Sequence, residues 1–184
     1  MSETLSVIIR DGLARDIPNC LLLDHSYETE YVWQMQIASD DGWRIDFKTE
    51  RLPRTLEIDY PASEDRLRAA AHVAQCFLVA TTRDDEPEII GYLTMRGDHL
   101  YGIGFVHDIV VSRPYRRHQI ALRLTKAATM WAREHELSRI TVETQTKNYP
   151  GIRFCEAAGF AFCGFNDRYF PNRDIAVFFS QSVR

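Results

Sequence analysis

The chain has 184 residues, of which 45% are hydrophobic and 26% are charged, and a formal net charge of −4 at pH 7. This composition excludes a disordered or fibrous protein, and no uninterrupted apolar stretch approaches the length of a membrane span. The net negative charge argues against a general nucleic-acid binder. A chain of this length can bury a core without a disulfide or metal staple, so we expect a single domain over residues 1–184.

The four cysteines lie far apart and lack CxxC spacing, at Cys20, Cys76, Cys155 and Cys163. This pattern predicts neither a zinc site nor a disulfide framework, and we expect four reduced thiols and no metal. The N-terminus has neither a basic segment nor a long apolar one. That favours the cytoplasm as the compartment, with no membrane association.

The N-terminal third is predicted to form a strand, a helix and a hairpin. Apolar residues alternate with polar ones on both sides of a Ser-Asp-Asp-Gly turn, which is typical of two antiparallel strands. The predicted elements are a strand over Val7–Arg10, a helix that Asp16 caps with Pro18 in its first turn, a link over 25–30, and a hairpin of strands 31–38 and 43–47 around the turn 39–42.

The middle of the chain predicts a helix and a second hairpin. Residues 52–60 show no firm period. Two apolar runs, 76–82 and 89–95, flank a polar turn and are predicted as paired strands. The glycine triplet 102–104 is interpreted as a turn. The helix is predicted to begin at a Ser63 cap, and its buried stripe consists of Leu67, Ala70, Ala71 and Ala74.

The stretch from Phe105 to Trp131 predicts a strand, a basic turn and a helix, in that order. Its first seven residues are apolar apart from His107 and Asp108, as in a mostly buried strand. After the turn 112–119, the period is that of an amphipathic helix with an apolar face formed by Ile120, Leu124, Ala127 and Trp131.

This order of elements predicts a phosphate site at the start of the helix. The N–H groups of a first helical turn and the positive end of the helix dipole attract anions. Arg113, Arg116 and Arg117 add full charges beside them. A basic turn of this kind could also be ordinary solvated surface.

The C-terminal quarter predicts three strands and a short helix. The run 139–144 is β-branched, and Asn148 is predicted to cap a helix that ends at Gly159. The last two strands are predicted over 160–165 and 174–180. The final strand could pair across a homodimer as an edge strand, or it could be a core strand. Hairpins mixed with strand–helix–strand units indicate an α+β protein with a mixed sheet.

Two motifs together resemble the GNAT N-acetyltransferase superfamily. The segment from Val111 to Ala121 is similar to its acyl-CoA loop, R/Q-x-x-G-x-G/A at the start of a helix. The segments 143–145 (ETQ) and 148–160 (NYPGIRFCEAAGF) resemble its downstream motif and look most like the streptothricin acetyltransferase group. The resemblance implies a central mixed, mostly antiparallel sheet of about six to seven strands flanked by about four helices, and acetyl-CoA as co-substrate.

The resemblance also implies which residues bind the cofactor. The strand before the loop would offer its main chain to the acyl-pantetheine arm, through Ile109, Val110 and Val111. The loop and first helical turn would face the pyrophosphate, through Arg116, Arg117, His118, Gln119, Ile120 and Ala121. The downstream motif adds Asn148, Gly151 and Phe154. The sequence departs from the pattern in having Gln119 where the family has a glycine, and Cys155 where many members have a tyrosine that protonates the departing thiolate.

Acetylation of an amine requires a group that accepts the ammonium proton. Asp108 or His107 could do so directly or through water, and Glu143 on the next strand is a third candidate. Each could instead be structural. Because only one of the two faces of a strand meets the cleft, the three residues cannot all be catalytic. Tyr169 could replace Cys155 as the acid or could line the substrate pocket.

The region from Asp24 to Trp33 has the acidic and aromatic composition that a cationic acceptor favours. It also lies where GNAT proteins place a variable acceptor loop. The substrate-binding candidates are Tyr27, Glu28, Tyr31 and Trp33. The same residues could belong to a helix end that runs into an ordinary strand.

Three functions are therefore weighed. The first is transfer of an acetyl group, by direct attack in a ternary complex, to a primary amine of a small cationic substrate such as a streptothricin-type antibiotic. The second is acetylation of a protein or peptide amine. The third, suggested by Gln119 and Cys155, is a non-catalytic acyl-CoA-binding regulatory module.

Overall fold

The computed structural model describes residues 5–39, 41–72 and 75–183. The predicted turn residue Asp40 and the predicted core residue Ala74 lie outside this part of the chain. It contains four α-helices and nine strands. In chain order they are β1 (Val7–Asp11), α1 (Ile17–Leu21), β2 (Ser26–Ala38), β3 (Arg44–Asp59), α2 (Glu64–Ala70), β4 (Gln75–Thr82), β5 (Ile89–Asp98), β6 (Ile103–Val111), α3 (Ile120–Glu134), β7 (Arg139–Gln145), α4 (Tyr149–Ala157), β8 (Ala161–Asn166) and β9 (Ala176–Ser182).

Seven of the strands form one mixed sheet in the order β1-β4-β5-β6-β7-β9-β8, and β2 and β3 form a separate antiparallel hairpin. The pairs β1–β4, β4–β5 and β5–β6 are antiparallel, whereas β6 and β7 are parallel. The predicted α+β class with a mixed, mostly antiparallel sheet and four helices is confirmed.

The last strand is not an edge strand. β9 lies between β7 and β8, so both of its edges are occupied within the sheet. The suggestion that it pairs across a homodimer as an edge strand is therefore wrong, and its alternative as a core strand agrees with the burial of Ala176, Val177 and Phe179. The homodimer itself stays a prediction.

The chain divides into two compact units. The first unit consists of Met1–His25, Pro61–Val142 and Ser180–Arg184. Its core includes a cluster of buried side chains from α1, α2 and the central strands, among them Ile17, Leu67, Phe77, Tyr92 and Val110. Helix α3 buries Ile120, Leu124, Ala128 and Ala132. The interpretation of the chain as a single domain stays a prediction.

The second unit consists of Ser26–Tyr60 and Glu143–Phe179. It contains the hairpin, α4 and an aromatic cluster in which the Trp33 ring lies 5.7 Å from that of Phe47 and 5.8 Å from that of Phe179, centroid to centroid. The main-chain N–H of Trp33 also donates to the carbonyl of Thr146 at 2.9 Å. Aromatic contacts therefore hold the hairpin within this unit.

The hairpin is longer than its sequence pattern predicts. The predicted link 25–30 is strand from Ser26 onward, and residues 52–59, which have no firm period, belong to β3. The register shifts between Thr29 and Tyr31, so the alternation on one side of this bulge is out of phase with the other. Side chains of β3 are also largely exposed. A strand that is not buried on one face lacks the apolar alternation on which prediction depends.

Other local predictions hold with adjustments. The Ser63 hydroxyl accepts the N–H of Arg66 at 3.3 Å, as predicted for a cap. Asp16 stands at the start of α1 but does not cap it with its side chain. Its carboxylate instead binds both terminal nitrogens of Arg10, at 2.7 and 2.9 Å. Ile103, from the predicted glycine turn, already belongs to β6.

In the described part of the chain, none of the helices has the length and apolar character that a membrane span requires. The four cysteines form no disulfide; Cys20, Cys76 and Cys155 are buried, and Cys163 is exposed. Among the described residues, no group of three or more histidine, cysteine and acidic side chains is arranged to hold a metal ion.

Candidate functional site

Strand β6 leaves part of its main chain open toward β7. The parallel ladder runs from Ile103–Arg139 to Val106–Val142, and no further pair is formed between these strands in the part of the chain that the structure describes. On its other side, β6 remains paired with β5 up to Val111. The three predicted pantetheine-binding residues, Ile109, Val110 and Val111, thus lie in the part of β6 that pairs with β5 and lies past the end of the ladder with β7.

The loop after β6 ends in a left-handed residue at the start of α3. Gln119 stands at the N-cap position with φ 60° and ψ 16°, and Arg117 also has a positive φ of 68°. Residue Ile120 is buried, whereas Arg117, His118 and Gln119 are exposed. The carbonyl of Gln119 accepts the N–H of Arg123, so the N–H groups of the preceding helical residues, 120–122, have no acceptor within the helix. This end of α3 offers main-chain donors to an anion.

The left-handed backbone explains why the GNAT pattern has a glycine at this position. A non-glycine residue in this conformation costs about 1–2 kcal/mol, of which glycine's extra freedom in the unfolded chain offsets roughly 0.5–1 kcal/mol. We expect Gln119→Gly to raise the free energy of unfolding by about 0.5–1 kcal/mol and to tighten CoA binding. Urea denaturation and calorimetry measure the two effects. Gln36→Gly, at an exposed position in β2, should instead destabilise the protein, and equal effects of the two changes would contradict the argument.

Two of the three loop arginines are engaged by the protein itself. Arg113 forms an ion pair with the Asp24 carboxylate, with Nε and Oδ2 3.0 Å apart. Arg116 donates to the main-chain carbonyls of Val111 and Asp24 at 2.9 and 3.0 Å. The side chain of His118 bonds to the carbonyl of Arg116 at 2.9 Å. The exposed Arg117 is therefore the arginine that geometry leaves best placed to meet a phosphate.

Gly91 keeps the opposite edge of β6 in place. It pairs with Val111, and a Cβ added to it would lie 2.7 Å from the carbonyl oxygen of Val110. We expect Gly91→Ala to push the strands apart, to cost roughly 1–3 kcal/mol of stability and to raise the dissociation constant of acetyl-CoA. Gly97→Ala, in the same strand, is the matched control, because the nearest atom to its added Cβ is Nε2 of His99 at 3.5 Å. Equal melting temperatures for the two variants would contradict this expectation.

The two polar residues of β6 face opposite ways. Asp108 is 3% exposed, on the buried face with Val106 and Val110, whereas His107 is half-buried on the face with Ile109. The register with β5 shifts at this point, so that Thr94 faces Asp108 and Met95 faces Val106. A β-bulge therefore sits at His107.

The Asp108 carboxylate is engaged on both oxygens. It accepts the Thr94 hydroxyl at 2.6 Å and lies 3.1 Å from the Arg66 guanidinium of α2. A buried, ion-paired carboxylate that accepts two partners is poorly placed to take a proton from a substrate. The geometry favours a structural role for Asp108 and leaves His107 as the base candidate on β6.

In the second unit, Glu143 of β7 accepts a hydrogen bond from the Tyr169 hydroxyl. Glu143 is half-buried and Tyr169 is 43% exposed. The Tyr169 ring contacts those of Phe170 and Phe178 edge-on, which fixes its direction. These two predicted catalytic residues, far apart in sequence, therefore form one pair.

The predicted substrate-binding residues lie along β2 and do not form one group. The Tyr27 hydroxyl donates to Gln145 at 3.5 Å, and burial, with a smaller effect of Asp174, raises the pKa of this phenol well above its usual range. The Tyr31 ring lies 5.4 Å from that of Tyr149. Glu28 is exposed and stands opposite Glu57. Trp33 belongs to the aromatic cluster, so a structural role is sufficient for it.

The predicted residues of the downstream motif shape the start of α4. The Asn148 side chain accepts the N–H of Gly151 at 3.0 Å, as expected for a cap. A Cβ on Gly151 would lie 2.7 Å from Asn148 Nδ2, so the cap requires a glycine there. Phe154 is half-buried on the same helix. Cys155 is 1% exposed, and burial raises the pKa of its thiol to about 12.

Sequence reasoning missed a polar group beneath β5 and β6 in the first unit. It consists of Arg66 and Thr94, which hold Asp108, and of His25 and Tyr92. Burial, with opposing smaller contributions, lowers the pKa of His25. Asp108 is a charged residue in an otherwise largely apolar strand, and a buried charge requires a partner, so the sequence does indicate that a partner exists. The identity of that partner depends on how α2 packs, which no local pattern specifies.

The seven-stranded sheet and the loop at the start of α3 are those of an acyl-CoA-dependent acyltransferase. Residues 40–160 match the model of the acetyltransferase (GNAT) family, and the chain belongs to that family. The predicted class of enzyme, an acetyl-CoA-dependent N-acetyltransferase, is thereby confirmed. No curated protein matches the chain in sequence.

Solved structures resemble the chain over nearly its whole length. Nourseothricin acetyltransferase is 21% identical with a TM-score of 0.84, and the likeness covers 97% of this chain and 99% of that one. A candidate streptothricin acetyltransferase from Bacillus anthracis str. Ames, in complex with acetyl coenzyme A, is 23% identical with a TM-score of 0.80 and the same coverage. The ribosomal-protein-S18-alanine N-acetyltransferase of Escherichia coli is 12% identical with a TM-score of 0.68, covering 96% and 94%. At these identities the likeness shows the fold.

Proposed function

We propose that this enzyme transfers the acetyl group of acetyl-CoA to a primary amine of a small cationic substrate of the streptothricin type, by direct attack in a ternary complex. The observation that supports acetyl-CoA as the acetyl donor is the main chain of β6 past its ladder with β7, beside the N-terminus of α3. The cationic amine as acceptor is supported by the likeness to the nourseothricin and streptothricin acetyltransferases over nearly the full chain.

The residues of the first unit fit acetyl-CoA. In the described part of the chain the ladder between β6 and β7 ends at Val106, and the main chain from Ile109 to Val111 suits the amides of an extended pantetheine arm. The N–H groups of residues 120–122, which have no acceptor within α3, suit the pyrophosphate, and Arg117 adds charge at the surface. When bound, acetyl-CoA supplies an activated thioester; the protein supplies position, which can contribute on the order of 7–11 kcal/mol toward the barrier.

We assign the deprotonation of the acceptor to Glu143, with His107 as the alternative. The Tyr169 hydroxyl donates to the Glu143 carboxylate and orients it. The same hydroxyl could protonate the departing thiolate, since Cys155 is buried and its raised pKa makes the thiol a poor acid and a poor nucleophile. An acetyl-Cys155 intermediate has no support in this geometry.

A direct assay tests the proposal. The purified protein is incubated with acetyl-CoA and either nourseothricin or a peptide with a free N-terminal alanine, and released CoA is measured with a thiol reagent. We expect turnover with nourseothricin, and mass spectrometry should show one added acetyl group on an amine. Turnover with the peptide alone would overturn the proposed acceptor.

The peptide arm represents the second candidate, acetylation of a protein N-terminus. The likeness to the ribosomal-protein-S18-alanine N-acetyltransferase, with a TM-score of 0.68, favours it on the fold alone. The third candidate, a non-catalytic module, was suggested by Gln119 and Cys155, and the conformation of Gln119 weakens the first of these two grounds. The backbone adopts the left-handed form that the loop requires even though this residue is not glycine.

A further inference from the structure

We propose that Arg116 is a positioning residue that clamps the end of β6 to the segment Leu23–Asp24–His25, and that it does not serve as a counter-charge for the CoA phosphates. The inference rests on the proposed binding of acetyl-CoA by β6 and α3. It assigns to Arg116 a role that differs from the one its place in the basic turn predicts.

The guanidinium of Arg116 joins two parts of the main chain that are 87 residues apart in sequence. Its Nε donates to the carbonyl of Val111 at 2.9 Å and its Nη2 donates to the carbonyl of Asp24 at 3.0 Å. The planar guanidinium presents these donors at a fixed angle, which an ammonium group cannot reproduce. Because the side chain is half-buried, both bonds are partly shielded from water.

The neighbouring residues hold the same segment from other directions. The Nδ1 of His25 is 2.6 Å from the carbonyl of Leu23 and its Nε2 is 3.0 Å from the Tyr92 hydroxyl. Since a carbonyl can only accept, Nδ1 carries the proton and Nε2 of the neutral ring accepts from Tyr92. Tyr92 is buried and pairs with Val110 on β6. The segment 23–25 is therefore attached both to the end of β6 and to the residue facing Val110.

The Asp24 side chain adds a separate link. Its carboxylate pairs with Arg113, whereas its main-chain carbonyl accepts from Arg116. A substitution of the Asp24 side chain therefore removes the Arg113 pair and leaves the clamp intact. This separation of side-chain and main-chain contacts supplies a matched control.

The clamp acts on the part of the proposed cofactor site that would bind the pantetheine arm and not the phosphates. Val111 is the last residue of β6, at the point where the strand passes into the loop, and its carbonyl is fixed by Arg116. Without that bond, the main chain from Ile109 to Val111 would keep its pairing with β5 but lose its link to Asp24. Losing the clamp should therefore weaken the binding of the pantetheine portion of the ligand, whereas losing a phosphate contact should not affect the binding of that portion.

Truncated ligands distinguish the two roles. Dissociation constants are measured for CoA by calorimetry and for pantetheine, which lacks the phosphates, by NMR titration. For Arg116→Ala we expect roughly tenfold weaker binding of both ligands, the effect of losing about one hydrogen bond to a charged group. Arg117→Ala should weaken the binding of CoA by a similar factor and leave the binding of pantetheine unchanged. If Arg116→Ala weakened the binding of CoA but not that of pantetheine, the proposal would be wrong.

Two conservative variants distinguish the loss of the clamp from a general loss of structure. Arg116→Lys retains the charge but has one nitrogen in place of the two, Nε and Nη2, that donate to the separate carbonyls. It should therefore behave like Arg116→Ala toward pantetheine, and a full rescue would overturn the clamp. Asp24→Asn should leave pantetheine binding within about twofold of the wild type, since the main-chain carbonyl remains.

Amide hydrogen exchange tests the clamp without any ligand. In the folded Arg116→Lys protein, residues 23–26 and 111–113 should exchange faster than in the wild type, with other segments unchanged. Unchanged exchange in both segments would contradict the proposal. If the wild type fails to bind CoA, the proposed function fails, and the exchange experiment still decides whether the clamp exists.

Discussion

Replacing Arg66 by alanine is expected to lower the free energy of unfolding by about 2–3 kcal/mol. The Asp108 carboxylate is almost completely buried and lies 3.1 Å from the Arg66 guanidinium, whose side chain is 40% exposed. Removing the cation leaves a buried carboxylate that still accepts the Thr94 hydroxyl but has lost the charge of Arg66. The partial exposure of Arg66 places this cost at or below the lower limit of the roughly 3–5 kcal/mol lost when a fully buried ion pair is broken.

The same helix offers a control of matched chemistry. Arg68 pairs with Glu64 at 2.5 Å, and both side chains are largely exposed. Arg68→Ala should therefore cost no more than about 0.5 kcal/mol. Urea unfolding at pH 7 measures both variants. Similar losses for Arg66→Ala and Arg68→Ala would contradict the argument from burial.

The double variant Arg66→Met with Asp108→Asn separates pairing from packing. Asparagine keeps the shape of Asp108 and its bond to Thr94, while the charge that required Arg66 is gone. We expect the double variant to be more stable than the sum of the two single losses by about 1–3 kcal/mol. Strict additivity would mean that the two residues do not act as a pair.

Sequence patterns predict most of the sheet because most of its strands are buried. β4, β5 and β7 consist largely of apolar and β-branched residues, and the predicted bounds agree with the observed ones to within a few residues. The caps at Ser63 and Asn148 are local hydrogen bonds between residues three apart. Such features are encoded where they occur, so a local pattern is sufficient to find them.

The exposed parts of the hairpin could not be predicted in the same way. Much of β3 has polar, solvent-exposed side chains, and a bulge near Thr29 interrupts the alternation in β2. These residues form strands because the two chains pair with each other and because aromatic side chains such as Trp33 hold the hairpin in place. The cause is nonlocal, and the sequence of each strand alone does not reveal it.

The candidate site likewise combines local features, which a sequence pattern predicts, with nonlocal ones, which it does not. The order of strand, loop and helix is a local pattern, and it indicates where the phosphates of CoA would bind. Which arginine is available to them depends on Asp24, about 90 residues earlier in the chain, whose side chain and carbonyl engage Arg113 and Arg116. A count of basic residues therefore overestimates the positive charge that the loop presents to a ligand.

For Glu143→Gln we expect kcat to fall by roughly 10²–10⁴-fold, the contribution of a general base, with little change in the KM for acetyl-CoA. Glutamine keeps the shape of Glu143 and can still accept the Tyr169 hydrogen bond, but it cannot take a proton from the acceptor ammonium. The measurement is steady-state release of CoA with nourseothricin as acceptor. The deficit should shrink as the pH approaches the pKa of the acceptor amine, because a neutral amine no longer needs a base.

Two variants decide whether the proton goes to Glu143. His107→Gln tests the alternative base on β6, and a loss of kcat there with full activity in Glu143→Gln would transfer the role to His107. Tyr169→Phe removes the hydroxyl that donates to Glu143 while keeping the ring and its contacts with Phe170 and Phe178. If Tyr169 only orients the base, kcat should fall about tenfold or less, the equivalent of one hydrogen bond. If it also protonates the thiolate, kcat should fall by a factor closer to that of Glu143→Gln, because the leaving group then departs without its acid.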